Sequence, residues 1–183
     1  TPKPSSAASD VYKRQEFIVP MGERADPQTV QFGNHVDTEP VGVLAWEATR
    51  IASGIPRIGL DTDARTIPNE IGLYATHLDK GCYRGQETVA RVHNLGRPPR
   101  RLTMLMLDGS DAELPDPGAS VILEGRKVGQ LGGVAMHHEL GPVGLALLKR
   151  NVSVDAVPTV DGVAASQTIL VDPEVGLHVR PQL

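Results

Sequence analysis

A chain of 183 residues can form one large domain or two small ones, and either can bury a core. Its composition (40% hydrophobic, 22% charged) is ordinary for a globular protein, but 3% aromatics oblige the core to be built from Val, Leu, Ile and Ala. The formal charge of −4 gives no overall case for nucleic-acid binding, and one cysteine excludes an internal disulfide framework or an all-cysteine cluster.

Residues 1–15 are Ser-, Ala- and Pro-rich without apolar periodicity. They are expected to be a non-native or disordered leader, resembling adapter read-through fused to a chain whose natural start lies upstream. Residues 17–20 suggest a short strand, and residues 21–40, punctuated by Pro27, Gly33 and Pro40, read as loop. Residues 41–53 carry the clearest helical pattern: Val41, Leu44, Ala45, Ala48, Ile51 and Ala52 share one face, with Glu47 and Arg50 elsewhere. Thr38 is the expected cap, and Gly54 with Pro56 closes the helix. Residues 55–73 read as an ordered loop. Residues 86–94 suggest a second helix, with Glu87 in its first turn and Gly96 as terminator. Pro98-Pro99 places a domain boundary, dividing residues 16–99 from residues 100–183.

Beyond it, residues 101–107, 120–124, 128–136, 143–148 and 167–171 are strand candidates. Asp108-Gly109, Asp116-Pro117-Gly118, Glu124-Gly125, Gly141-Pro142 and Asp161-Gly162 mark turns between them. Short strands at this spacing predict a small antiparallel β-barrel, and the fold class is α+β. No stretch approaches the ~20 apolar residues of a membrane helix and no signal peptide is evident, so the chain reads as cytoplasmic, with no membrane partner.

The chemistry centres on Cys82. A packing cysteine normally sits among aliphatic residues, whereas this one has Gly81, Tyr83 and Gly85 as neighbours and Lys80, Arg84 and Arg91 nearby. A structural cysteine and a reactive thiol both stand at this point; the neighbours favour the second. Glycines allow a turn that presents the side chain outward, and cations with a helix N-terminus stabilise a thiolate. Residues 84–101 hold five arginines (84, 91, 97, 100, 101) and one acid, Glu87, a local balance of +4. No spacing among His77, Asp79, Glu87 and His93 matches a structural metal site, and none is expected. His137-His138 reads as an exposed turn, because adjacent strand residues point to opposite faces.

Residues 80–87, Lys-Gly-Cys-Tyr-Arg-Gly-Gln-Glu, fit without mismatch the K-G-C-Y-x-G-Q-E signature of the YgfZ-type folate-binding proteins, which they resemble. These are relatives of the glycine-cleavage aminomethyltransferase, or T-protein. The resemblance runs from about Val41 onward and is sharpest between Ile55 and Arg101. It implies the end of a T-protein-like α+β domain followed by a six-stranded barrel, with residues 127–133 as a glycine-rich strand. It also implies folate (tetrahydrofolate) as ligand, and a part in iron–sulfur enzyme assembly or repair. Iron–sulfur tRNA-modifying enzymes would supply an indirect link to tRNA. Cys82 would be the functional thiol within a motif of Lys80, Gly81, Tyr83, Gly85, Gln86 and Glu87, and Lys80, Arg84 and Arg91 could hold the folate anion.

Two other functions compete with this one. A tetrahydrofolate-dependent aminomethyltransferase would carry a pterin-binding carboxylate in an R-L-E-A-G element. The matching residues are Arg50-Ile51-Ala52-Ser53-Gly54, and the methyl group of Ala52 cannot replace that acceptor. Enzyme chemistry is therefore not expected. A tRNA-binding module would use the basic stretch and the barrel, but it has few aromatics for base stacking.

Overall fold

The computed structural model describes residues 42–73, 80–95, 97–109 and 113–174. The expectations for residues 1–41 and for Tyr74, His77, Asp79 and Gly96 lie outside these residues, as do the side chains of His93 and Asn94.

Helix α1 (Val43–Ala52) is followed by a connecting segment containing a 3-10 turn (Pro68–Ile71) and later by helix α2 (Gln86–Leu95). Six strands follow: β1 (Arg100–Leu107), β2 (Ser120–Leu123), β3 (Arg126–His137), β4 (Gly141–Lys149), β5 (Thr159–Val160) and β6 (Val163–Ile169). Every pairing is antiparallel, and the order β1-β4-β3-β2-β5-β6 closes on itself because β1 also pairs with β6. Closure removes the unpaired edges that an open sheet would expose.

The strand alternation separates two apolar layers. Leu105, Leu107, Leu131, Ala146, Leu148 and Val160 belong to one buried cluster, packed inside the barrel. Leu102, Met104, Val143, Leu145 and Leu147 belong to a second, on the outer face of β1 and β4, where Ala48 and Ile51 of α1 cover them. Strand β4 is therefore buried on both sides from Pro142 to Leu148. That explains its continuous apolar run, which lacks the alternation of a half-exposed strand. Each fully buried aliphatic side chain here stabilises the fold by about 1.5–3 kcal/mol.

Three expectations are corrected. The N-cap of α1 is Gly42, without a side-chain cap, so the cap assigned to Thr38 is not the one used. The buried face is also rotated from the apolar stripe: Leu44 is 83% exposed, whereas Arg50, expected off the face, is 2% exposed. Arg50 goes inward because Glu47 and Asp61 pair with it there, a compensation invisible to an apolar periodicity. Finally, β5 was not anticipated and β6 begins at Val163, upstream of the predicted 167–171. Strand β5 has two residues, and Asp161 and Gly162 turn it into β6 with φ of 49° and 88°, the left-handed pair of a tight hairpin. The alternating small and polar residues of β6 gave no apolar signal; only Ala165 is fully buried in its centre.

Arg101 lies in β1 with its guanidinium at one end of the barrel, donating to Thr103 Oγ1 at 2.5 Å, Gln167 Oε1 at 2.8 Å and the Val152 carbonyl at 3.2 Å. It is 1% exposed, and burial lowers its pKa below the ordinary arginine value.

Candidate functional site

The motif occupies the turn into α2. Gly85 adopts φ of 84°, a left-handed conformation suited to glycine, and its carbonyl accepts the first helical N–H groups, from Thr88 and Val89 at 3.1 Å. One residue on, the side-chain oxygen of Gln86 accepts from the backbone N–H of Tyr83 at 3.4 Å. The helix start is thus held by Gln86; Glu87 in the first turn is exposed and makes no hydrogen bond with the described residues. Val89 is buried, while Arg91 is exposed.

Ahead of this turn, Cys82 is a free, exposed thiol. Lys80 is exposed and its Nζ lies 4.8 Å from the centroid of the Tyr83 ring, a cation–π contact that fixes the ammonium beside the motif. Arg84, two residues after Cys82, is exposed. Tyr83 is half-buried, and its hydroxyl is shielded from solvent without a partner among the described residues. The segment therefore presents a thiol and three cations, with a glycine turn in place of bulk and the Tyr83 hydroxyl shielded beneath.

The residues suit one part of a folate and not another. Exposed Lys80, Arg84 and Arg91 supply the charge that a glutamate tail requires. At the other end, Ala52 is the half-buried last residue of α1 and offers no acceptor to a pterin. No group of three or more His, Cys, Asp or Glu able to hold a metal ion occurs among the described residues. Ring centroids of His137 and His138 lie 4.5 Å apart, so the two side chains lean together, not to opposite faces. The pair does form a turn: His137 Nδ1 accepts the backbone N–H of Glu139 and Leu140, each at 3.2 Å.

Of the five arginines in the basic stretch, two are committed internally. Arg101 lies in the barrel as described. Arg100 donates to Glu70 (Nε–Oε1, 2.8 Å) and to Asp63 (Nη1–Oδ2, 2.7 Å), and this pairing holds the Asp63 carboxyl far below its usual range. Arg97 lies 3.7 Å from Glu174. The local +4 read from the sequence thus overstates the charge open to a ligand.

Sequence reasoning missed the anchor that fixes the connecting segment to the barrel. Asp61, 4% exposed, accepts from Arg50 Nη1 at 2.8 Å, from the Arg57 N–H at 2.7 Å and from the Gly133 N–H of β3 at 2.6 Å. The close approach explains two glycines of the glycine-rich strand. A Cβ on Gly132 would collide with the Asp61 carboxylate, and one on Gly133 would stand 2.5 Å from Arg50 Nη2. Strand β3 shifts register there, between Leu131 and Val134, which frees the Gly133 N–H for the carboxylate. The Asp61/Asp63 alternation together with Gly132-Gly133 was the available signal, but nothing in the sequence paired the two.

No protein-family model matches the chain. It is 37% identical over 93 residues to a chloroplastic protein of Arabidopsis thaliana whose name assigns it, provisionally, to the transferases. It is 36% identical over 80 residues to the tRNA-modifying protein YgfZ of Colwellia psychrerythraea, and 37% identical over 82 residues to that of Escherichia coli. These alignments cover 42 to 50% of the chain and 21 to 24% of the relatives, so the chain spans about a quarter of the length of the proteins it matches. They support the resemblance carried by the motif, and the chain is similar to a portion of a YgfZ-type protein.

Proposed function

We propose, from this similarity to YgfZ-type proteins, that the chain belongs to a folate-binding factor that assembles or maintains iron–sulfur enzymes. Through those enzymes it affects tRNA modification, the activity named for its bacterial relatives, and the cytoplasm is the compartment proposed. The observation that carries the reading is the eight-residue match around an exposed Cys82.

A thiolate is a soft ligand, suited to iron in transit to a client enzyme. The one cysteine of this chain provides a single thiolate ligand, so a cluster handled here takes its other ligands from outside the chain and is cargo in transit. Lys80, Arg84 and Arg91 hold the carboxylates of the folate, and Gly85 lets the backbone turn close beside it.

The transferase reading draws on the name of the Arabidopsis relative, and Ala52 opposes it. The tRNA-binding reading loses two of its arginines to internal pairing. The deciding experiment replaces the matched segment of the Escherichia coli relative with this chain's residues and tests complementation of a strain lacking that relative. Activity of an iron–sulfur tRNA-modifying enzyme is the readout, alongside folate titration of the purified protein. Cys82→Ser is expected to abolish complementation and leave folate affinity within about twofold. Full complementation by the serine variant would sink the thiol mechanism.

A further inference from the structure

A cavity of about 900 Å3 opens between residues 58–65 of the connecting segment and strands β3 and β4. None of residues 80–87 lines it, so it is separate from the motif. We propose that this groove binds a small organic anion: a compact apolar body carrying a phosphate or carboxylate head.

Charge carries the first part of the inference. The lining includes the cations Arg65, Arg100, Lys127 and Lys149 against the acids Asp61 and Asp63, a formal +2 in a chain of net charge −4. Both acids are occupied, Asp61 by Arg50 and Asp63 by Arg100. Arg65, Lys127 and Lys149 form no ion pair among the described residues. Two of them are arranged by the barrel itself. Lys149 of β4 pairs in register with Arg100 of β1, and its Nζ donates to the Lys127 carbonyl of β3 at 3.0 Å. Positive residues therefore cross three adjacent strands at one end of the groove.

Shape and polarity carry the second part. Leu147, on the outer face of β4, gives the groove an apolar patch, and Ile58 lines it 95% exposed. A large aliphatic residue left in water beside unpaired cations suits a ligand with an apolar body and an anionic head. The walls are already fixed before any ligand arrives. Asp61 ties the loop to Gly133 of β3, and Asp63 ties it to Arg100 of β1. No aromatic side chain among the described residues lines the cavity, which counts against the base-stacking platform that single-stranded RNA would use. The volume is that of sites for small molecules.

The test titrates the 183-residue chain with 1-naphthyl phosphate, 2-naphthoate and inorganic phosphate, followed by calorimetry. A single saturable site is expected for the naphthyl probes, with inorganic phosphate at least about tenfold weaker because it lacks the apolar body. The better of the two naphthyl probes identifies the head group. Lys127→Gln/Lys149→Gln should weaken naphthyl binding about tenfold with an unchanged melting temperature, and Cys82→Ser and Arg84→Gln should leave it unchanged. Equal binding by the lysine double variant, or no saturation at millimolar probe, overturns the proposal. Preferential binding of an RNA oligomer, with affinity falling steeply in salt, also overturns it, in favour of a nucleic-acid surface. Because the Cys82 and Arg84 variants are scored separately, failure here leaves the reading of the motif untouched.

Discussion

The barrel and the segment carrying the motif are built on different principles. In the barrel almost every residue identity has a packing reason. Leu145 and Val143 are covered by α1, Leu148 and Val121 fill the interior, and Gly132 and Gly133 admit Asp61 and Arg50. In residues 80–92 the reverse holds: Lys80, Gly81, Cys82, Arg84, Glu87 and Arg91 are all exposed, and Val89 alone is fully buried. Packing does not call for a cysteine or for three cations in that segment. An exposed residue whose type is not needed for folding is where chemistry is to be sought.

The largest expected effect breaks the barrel side of the comparison. Asp61→Ala leaves Arg50 buried without its second acid and strips the Gly133 N–H of its acceptor, and should cost about 3–5 kcal/mol. Urea unfolding followed by the fluorescence of Trp46, the one tryptophan, measures it; a loss below about 1 kcal/mol would mean that the anchor is dispensable.

Next comes Leu145→Ala, which opens a cavity between α1 and the barrel and should cost about 2–5 kcal/mol. A chain starting at residue 100 with Leu145 intact probes whether the barrel folds without the preceding elements, and a folded barrel is expected. A disordered circular dichroism spectrum for that shortened chain would show that it needs them.

A smaller effect follows pH. The Arg100 guanidinium beside Asp63 depresses the carboxyl's pKa in the folded state, while in the unfolded chain it titrates near its usual value of about 3.9. The stability from this pair is therefore fully present above about pH 4 and is lost as pH falls toward the folded value. Asp63 is half exposed, so screening keeps the contribution modest. Asp63→Asn should lower stability near neutral pH by this modest amount and flatten the acid limb of the stability curve; an acid limb identical to that of the parent would remove Asp63 as its source.

The smallest effect sharpens the motif side. Cys82→Ser should shift stability by no more than about 0.5 kcal/mol, and native Cys82 should react with a thiol reagent nearly as fast as in the unfolded chain. Slow labelling or a large loss of stability would return Cys82 to a packing role and erase the contrast.

Much was legible in the sequence because it depends on neighbours a few residues apart. The helix over residues 43–52, the ordered loop after it, the helix starting at Gln86 and five of the six strands follow from local periodicity and turn chemistry. So does the exposed setting of Cys82, since glycines and cations leave it little to pack against. What the sequence could not decide were pairings across long separations. That Arg50 turns inward, that Asp61 reaches Gly133 across 72 positions, and that Arg100 belongs to Asp63 and Glu70 depend on tertiary contact. So does the row of Arg100, Lys149 and Lys127 at the groove, which strand register assembles from three distant segments. A charge in a sequence reads as surface because burying it alone is costly; only the folded chain brings the opposite charge that removes the cost.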